Sequence, residues 1–238
     1  ITPSTKPMPK YIRNNHPRGY ALSLNLFVLQ FEYPYGRPSS LPDQVEILSR
    51  RRGFAGFNTL DVLSLQHEQF AGGLGHPIER EIIERGNAVS LVPYDPWRDE
   101  VVLIEQFRIG AFVAGQHPWL IEVVAGRIDA GESPEDVARR EAVEEIGRPV
   151  DRLERMAHYL VNPASSTETN DFVGRVDASD AGGVHGLQHE GEDIRVFTMP
   201  AEEVIGWIGT EKITNATFLI AMQFFAGNRQ RLREIWRD

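Results

Sequence analysis

Gly126-Arg-Ile-Asp-Ala-Gly-Glu132-Ser133-Pro134-Glu-Asp-Val-Ala-Arg-Arg140-Glu141-Ala-Val-Glu144-Glu145-Ile-Gly147 is the stretch that decides the fold. A glycine turn leads into one short helix. Ser133 suits the N-cap and Pro134 the first helical position, while Glu135 and Asp136 favour the positive N-terminal end. Val137, Ala138, Ala142 and Ile146 supply apolar positions, and Gly147 suits the residue that closes the helix. Near that end Glu141, Glu144 and Glu145 stand at i, i+3 and i+4, on one helical face. Like charges so placed repel, so the face calls for a cation above it, and oxygen donors suit a hard divalent ion. Mg2+ is typically held by a few carboxylates together with substrate phosphates, so the expected substrate is a phosphate ester or anhydride. Arg140 can orient one of the glutamates through a charge-assisted hydrogen bond.

Composition sets the frame around this helix. The chain has 238 residues, 41% of them apolar, enough for one large domain or a domain plus an extension. A net charge of -9 argues against a general nucleic-acid binder. With no cysteine there are no disulfides and no thiolate metal sites, which fits a reducing cytoplasm. No apolar run reaches the roughly 18 to 20 residues that span a bilayer, so no membrane partner is expected. The chain opens on Ile1 rather than Met, which suggests that it begins within a longer polypeptide, and its first residues lack a secretory signal. Residues 1–44 hold seven of the fifteen prolines and few acids. They read as an extension ordered only in part, with 21–31 as a strand or partner-binding segment.

From Val45 onward the pattern is globular. Strands are expected at 45–49, 57–65, 78–84, 88–93, 100–107 and 119–124, the last running directly into Ala125-Gly126. Further strands are expected at 155–161, 171–176 and 194–199. A short helix should begin near Pro200, and a longer one should run from about Asn215 to Trp236. Many strands, one central helix and terminal helices point to an α/β sandwich with a mixed sheet.

The spacing Gly-x5-Glu-x7-Arg-Glu-x2-Glu-Glu-x-Gly over 126–147 resembles the Nudix box. The one departure is Arg148, where the family has an aliphatic residue. The resemblance implies a Nudix α/β/α sandwich and hydrolysis of a nucleoside diphosphate linked to another group, with Mg2+ or Mn2+. By that match Glu141 and Glu145 are the main metal ligands, the Ala125 carbonyl is a further one, and Glu144 assists. Glu132 and Arg140 are implied to be structural.

Pro163, sixteen residues after Gly147, resembles the marker of the ADP-ribose pyrophosphatase branch. The segments 78–85, 105–108, 122–147, 190–195 and 212–216 are similar to the bacterial enzymes of that branch, and the likeness covers about 45–238. It implies a loop, 182–192, that carries Glu190 as general base and Glu192 as a further metal ligand. It implies that Arg108 contacts the diphosphate and that Phe57 stacks on adenine. Asn58, Arg127 and Glu168 are also carried over as substrate contacts, Glu168 toward the terminal ribose. Arg80, Glu81 and Arg85 would reach adenine and ribose from a partner subunit, in a homodimer that exchanges N-terminal antiparallel strands. The division expected is an extension at 1–44, a strand subdomain at 45–86 for dimerisation and substrate contacts, and a catalytic domain at 87–238. The family loop is glycine-rich where this chain has Ala164-Ser165-Ser166, which keeps another nucleoside diphosphate sugar, such as GDP-mannose, open as the substrate. A non-catalytic ligand sensor would usually lack one of the box glutamates, and all are present. The seven histidines form no metal set, and His185 and His189 read as solvent-exposed loop residues. No nucleophile elbow or phosphate-binding P-loop is present.

Overall fold

A computed structural model describes residues 42–237. The segment 21–31 lies outside the described residues. The described residues divide into two compact units, one formed by 42–50 with 63–80 and the other by 51–62 with 81–237. Among the described residues run eleven strands and four α-helices. The strands are β1 (Val45–Ala55), β2 (Thr59–His67), β3 (Ile78–Glu84), β4 (Ala88–Asp95), β5 (Glu100–Phe107), β6 (Trp119–Glu122), β7 (Val124–Arg127), β8 (Arg152–Leu160), β9 (Glu168–Arg175), β10 (Gly183–His185) and β11 (Ile194–Pro200). The helices are α1 (Ile109–Val113), α2 (Pro134–Ile146), α3 (Ala201–Ile205) and α4 (Ala216–Trp236). None of them is long and apolar enough to cross a membrane.

Strands β1, β2 and β3 form a three-stranded sheet in that order. In the first unit the Glu46 carboxylate accepts from the Gln44 and Gln66 side-chain amides at 2.8 and 2.7 Å. In the second, Arg52 pairs with the buried Asp61. That pair explains why β1 runs to Ala55 rather than stopping at 49. Arg50, Arg51 and Arg52 break the apolar alternation, but this stretch of the strand is exposed and needs no apolar face, and Asp61 holds one of the arginines.

The second unit is built on an eight-stranded sheet. Its main path is β10-β11-β5-β4-β9-β8, with β6 added to β5 and β7 to β4. It is mixed, because β4 and β9 run parallel while its other neighbouring strands pair antiparallel. Successive residues point to opposite faces. Val89 and Leu91, Val102 and Ile104, and Phe172 pack against Val137, Ala138, Ala142 and Ile146 of α2. Their neighbours Val92 and Tyr94, Leu103, and Val173 pack against Phe218, Met222 and Phe225 of α4. Burial on both faces is why β4 and the start of β5 read as continuous apolar runs. The result is the expected α/β/α layering.

Three details depart from the sequence expectation. The segment 119–124 is two strands, because the chain leaves β5 after the Glu122↔Ile104 pair and joins β4 at Val124↔Leu91. Helix α1 was not expected: it is five residues long and leaves Ile109, Phe112 and Val113 exposed, so it shows no amphipathic period. The segment 182–192 is not a featureless loop. Its strand β10 pairs with β11, and a 3-10 turn covers Gln188–Glu190. Gly183, Gly186 and Gly191 have positive φ, which permits these close folds.

Candidate active site

Helix α2 starts and stops as its sequence dictates. The Ser133 hydroxyl accepts from the Asp136 N–H at 3.1 Å, Pro134 leads the first turn, and Gly147 closes the helix at φ 64°. The loop before it is held by Glu132, which accepts from the Asp129 N–H at 2.9 Å. The helix lies against β7, and its glutamates face that strand. The Ala125 N–H donates to Glu145 Oε2 at 3.0 Å. A Cβ built on Gly126 would stand 1.8 Å from Glu141 Oε1, so only glycine leaves room for that carboxylate. Arg140 donates to Glu141 at 2.9 Å and to Glu144 at 2.8 Å, and its Nε reaches Glu132 at 3.2 Å.

This arrangement concentrates negative charge where water is scarce. Burial pushes the Glu141 carboxyl up to about 7, reinforced by Glu144 and Glu192 and opposed by Arg140. Burial likewise holds Glu145, 2% exposed, well above the usual carboxylate range; the Ala125 N–H opposes this, while Glu141 and Glu192 add to it.

The segment after β10 supplies the facing groups. The Gly186 N–H donates to the Glu144 carbonyl at 3.3 Å, and Glu192 Oε2 accepts from the Leu187 N–H at 3.0 Å. Glu190 sits in the 3-10 turn with its side chain more than half exposed. His185 is not a free surface residue. It is half-buried, with Nε2 2.9 Å from the Gly182 carbonyl oxygen, and its ring packs where a side chain on Gly147 would be. His189 is exposed as expected.

A cleft of about 920 Å³ gathers these groups with cationic and aromatic ones. Its walls include Ala125, Glu141, Glu144, Glu190 and Glu192, and also Phe57, Asn58, Arg85, Arg108 and Arg127. Arg108 Nε donates to Glu122 at 2.8 Å. The Arg127 guanidinium lies 4.8 Å from the centre of the Phe57 ring, which is 80% exposed. A buried acidic wall beside arginines in one cleft suits an anionic ligand bridged by a cation.

The description NUDIX domain matches residues 84–219, more than half of the chain. The chain belongs to the Nudix family. An ADP-ribose pyrophosphatase of Escherichia coli (strain K12) is 45% identical over 206 residues, covering 84% of this chain and 99% of that protein. An ADP-ribose pyrophosphatase of Haemophilus influenzae is 38% identical, covering 81% and 91%. A GDP-mannose pyrophosphatase of Enterobacter sp. (strain 638) is 34% identical but covers only 61% of this chain. A crystal structure of an ADP compounds hydrolase shares the fold, with a TM-score of 0.61 at 22% identity over 85% of this chain and all of that one.

A Nudix site implies a divalent metal, and the residues present fit one. The donors are hard carboxylate oxygens and a carbonyl, crowded enough to raise one another's proton affinity. Arg140 and backbone N–H groups engage several of these oxygens, and among the described residues no three acidic or imidazole groups stand together as a set that could hold a metal ion. Four residues expected at the Nudix site are not among its walls, one of them Glu145, which is buried behind them and accepts from the Ala125 N–H. Glu168 is turned to the Asn87 amide and to His158, both at 3.3 Å, while its neighbour Thr167 lines the cleft. Glu81 is exposed on β3, and Arg80 donates to the Glu79 carbonyl. The walls also include Gln106, Trp119 and Asp129, which sequence reading passed over. For Gln106 a signal existed: alternation along β5 places a polar residue on the face that Val102 and Ile104 bury.

Proposed function

We propose that this protein hydrolyses the diphosphate of ADP-ribose to AMP and ribose 5-phosphate, using Mg2+ or Mn2+. The observation that carries this reading is the single cleft in which the acidic residues of α2 and of 182–192 meet Arg85, Arg108, Arg127 and Phe57. Its volume suits a dinucleotide-sized ligand. Glu141 and Glu145, with the Ala125 carbonyl and Glu192, hold the metal. Once bound, the metal neutralises charge that builds on the diphosphate oxygens. Arg108, oriented by Glu122, donates to the diphosphate, and Phe57 stacks on adenine with Arg127 against its ring. Glu190, more than half exposed at the cleft, takes a proton from the attacking water. The water oxygen bonds to one phosphorus, the bond from phosphorus to the bridging oxygen breaks, and the proton passes from Glu190 to solvent. We place Arg80 and Glu81 at the partner's cleft in a homodimer, with 45–86 serving dimerisation, whereas Arg85, expected there too, lines the cleft of its own chain.

The departure at 164–166 does not favour another sugar. Ser165 is buried and donates to the Ile83 carbonyl at 3.1 Å, so this loop ties β3 to β9 rather than presenting its hydroxyl to the cleft. The test is product release from ADP-ribose, GDP-mannose and a diadenosine polyphosphate with Mg2+. We expect kcat/KM for ADP-ribose at least about tenfold above the others. The reverse ranking transfers the assignment to GDP-mannose, and binding without metal-dependent turnover transfers it to a ligand sensor.

A further inference from the structure

Gln106 is 6% exposed, yet it lines the cleft beside Arg108. It stands two residues beyond Ile104, on the β5 face that packs against α2. Its side-chain Nε2 has no hydrogen-bond partner. Glu122 lies near enough to feel the amide, but the geometry falls outside a hydrogen bond. The Glu122 oxygens are engaged instead by Arg108 Nε at 2.8 Å and by Asn215 Nδ2 at 3.3 Å. A buried donor left unpaired is costly and uncommon. This one borders a cleft whose nearby cationic group, Arg108, selects for oxygen anions, so the missing acceptor belongs to the ligand.

We propose that Gln106 is a further diphosphate-positioning residue, its side-chain N–H donating to a phosphoryl oxygen held beside Arg108. This rests on reading the cleft as a nucleoside diphosphate site. It gives the diphosphate two donors two residues apart, a neutral one near the end of β5 at Gln106 and a charged one just beyond the strand at Arg108. The neutral donor fixes orientation without adding charge next to the metal ligands.

Two variants of similar size, Gln106→Leu and Gln106→Met, remove the donor and keep the volume. The probes are the α,β-methylene analogues of ADP-ribose and of ADP, titrated by calorimetry with Mg2+ present. Thermal unfolding of the free protein and the KM and kcat for ADP-ribose are measured alongside. We expect both variants to bind the analogues about tenfold to a hundredfold more weakly, the range for a bond to a charged acceptor. KM should rise in step. The Tm of the free protein should be unchanged or higher, because an apolar side chain of the same shape removes an unpaired polar group. Binding within twofold of wild type overturns the proposal. So does a Tm lowered by several degrees in both variants, which would make Gln106 a structural partner of Glu122. A wild type that binds neither analogue also overturns it. A wild type that binds them but leaves ADP-ribose intact removes the hydrolase assignment alone, while the loss of binding in the variants still supports Gln106.

Discussion

Gly126→Ala isolates the geometry of the acidic wall. Gly126 does not have a positive φ, so alanine suits its backbone, and the three atoms nearest the new Cβ all belong to the Glu141 side chain. The new Cβ would lie 1.8 Å from Oε1, 2.0 Å from Cδ and 2.4 Å from Cγ. Reaching ordinary contact, which begins at 3.4 Å, requires the carboxylate to move by about 1.6 Å. The side chain is flexible and ends at the cleft, so it can swing away without unfolding the helix, leaving Arg140 with Glu144 and Glu132. Misplacing a catalytic group by about 1 Å costs about a hundredfold in rate. We therefore expect AMP release from ADP-ribose to fall at least a hundredfold at saturating Mg2+, with a Tm within a few degrees of wild type. The assay pairs product release with a thermal melt. Activity within threefold of wild type refutes the claim that Glu141 must lie against the Gly126 backbone. A large drop in Tm refutes the claim that the clash is confined to one side chain.

Four further outcomes are expected. Glu190→Gln should lower kcat by about 10²- to 10⁴-fold with little change in KM, and steady-state kinetics that show a normal kcat would remove the base assignment. Chelation with EDTA should stop turnover, and added Mg2+ or Mn2+ should restore it in the same assay. Burial lifts the Asp171 carboxyl to about 6, above an unfolded value of about 3.9. Its stabilising protonation is therefore complete below about pH 4 and lost as pH rises through about 6. Relative to Asp171→Asn, the wild type should lose about 1.4 kcal/mol between about pH 5 and pH 8, read from urea midpoints. Ser133→Ala removes the hydroxyl that accepts from the Asp136 N–H and should cost about 1 kcal/mol, measured by the same unfolding curves.

What could be read from the chain follows from how local each signal is. Ser133, Pro134 and Gly147 act within one turn of α2, so the helix was legible to the residue. Glu141 and Glu145 share its face by spacing alone. Nothing local connects them to Glu190 and Glu192, some fifty residues away, and only the family likeness brought these forward. The break between β6 and β7 was hidden because Val123 and Val124 are both buried, on opposite faces of a sheet covered on both sides, so hydropathy stays flat across the switch of partner. His185 was misjudged because its burial depends on the missing side chain of Gly147, a contact across 38 residues that no periodicity records. Gln106 was passed over although alternation along β5 sets it on the face of Val102 and Ile104, because one polar residue near a strand end does not stand out from the pattern.

The bond from the Gly186 N–H to the Glu144 carbonyl makes the segment carrying Glu190 a leash fastened at both ends. Its other anchor is Ile194, fully buried in β11, and only residues 187–193 lie between. A residue extends at most about 3.5 Å, so the tip of such a leash can travel no more than about 12 Å. Glu190 thus stays close to helix α2 of its own chain. Mixed populations of Glu190→Gln and Glu141→Gln chains should accordingly fail to rescue one another.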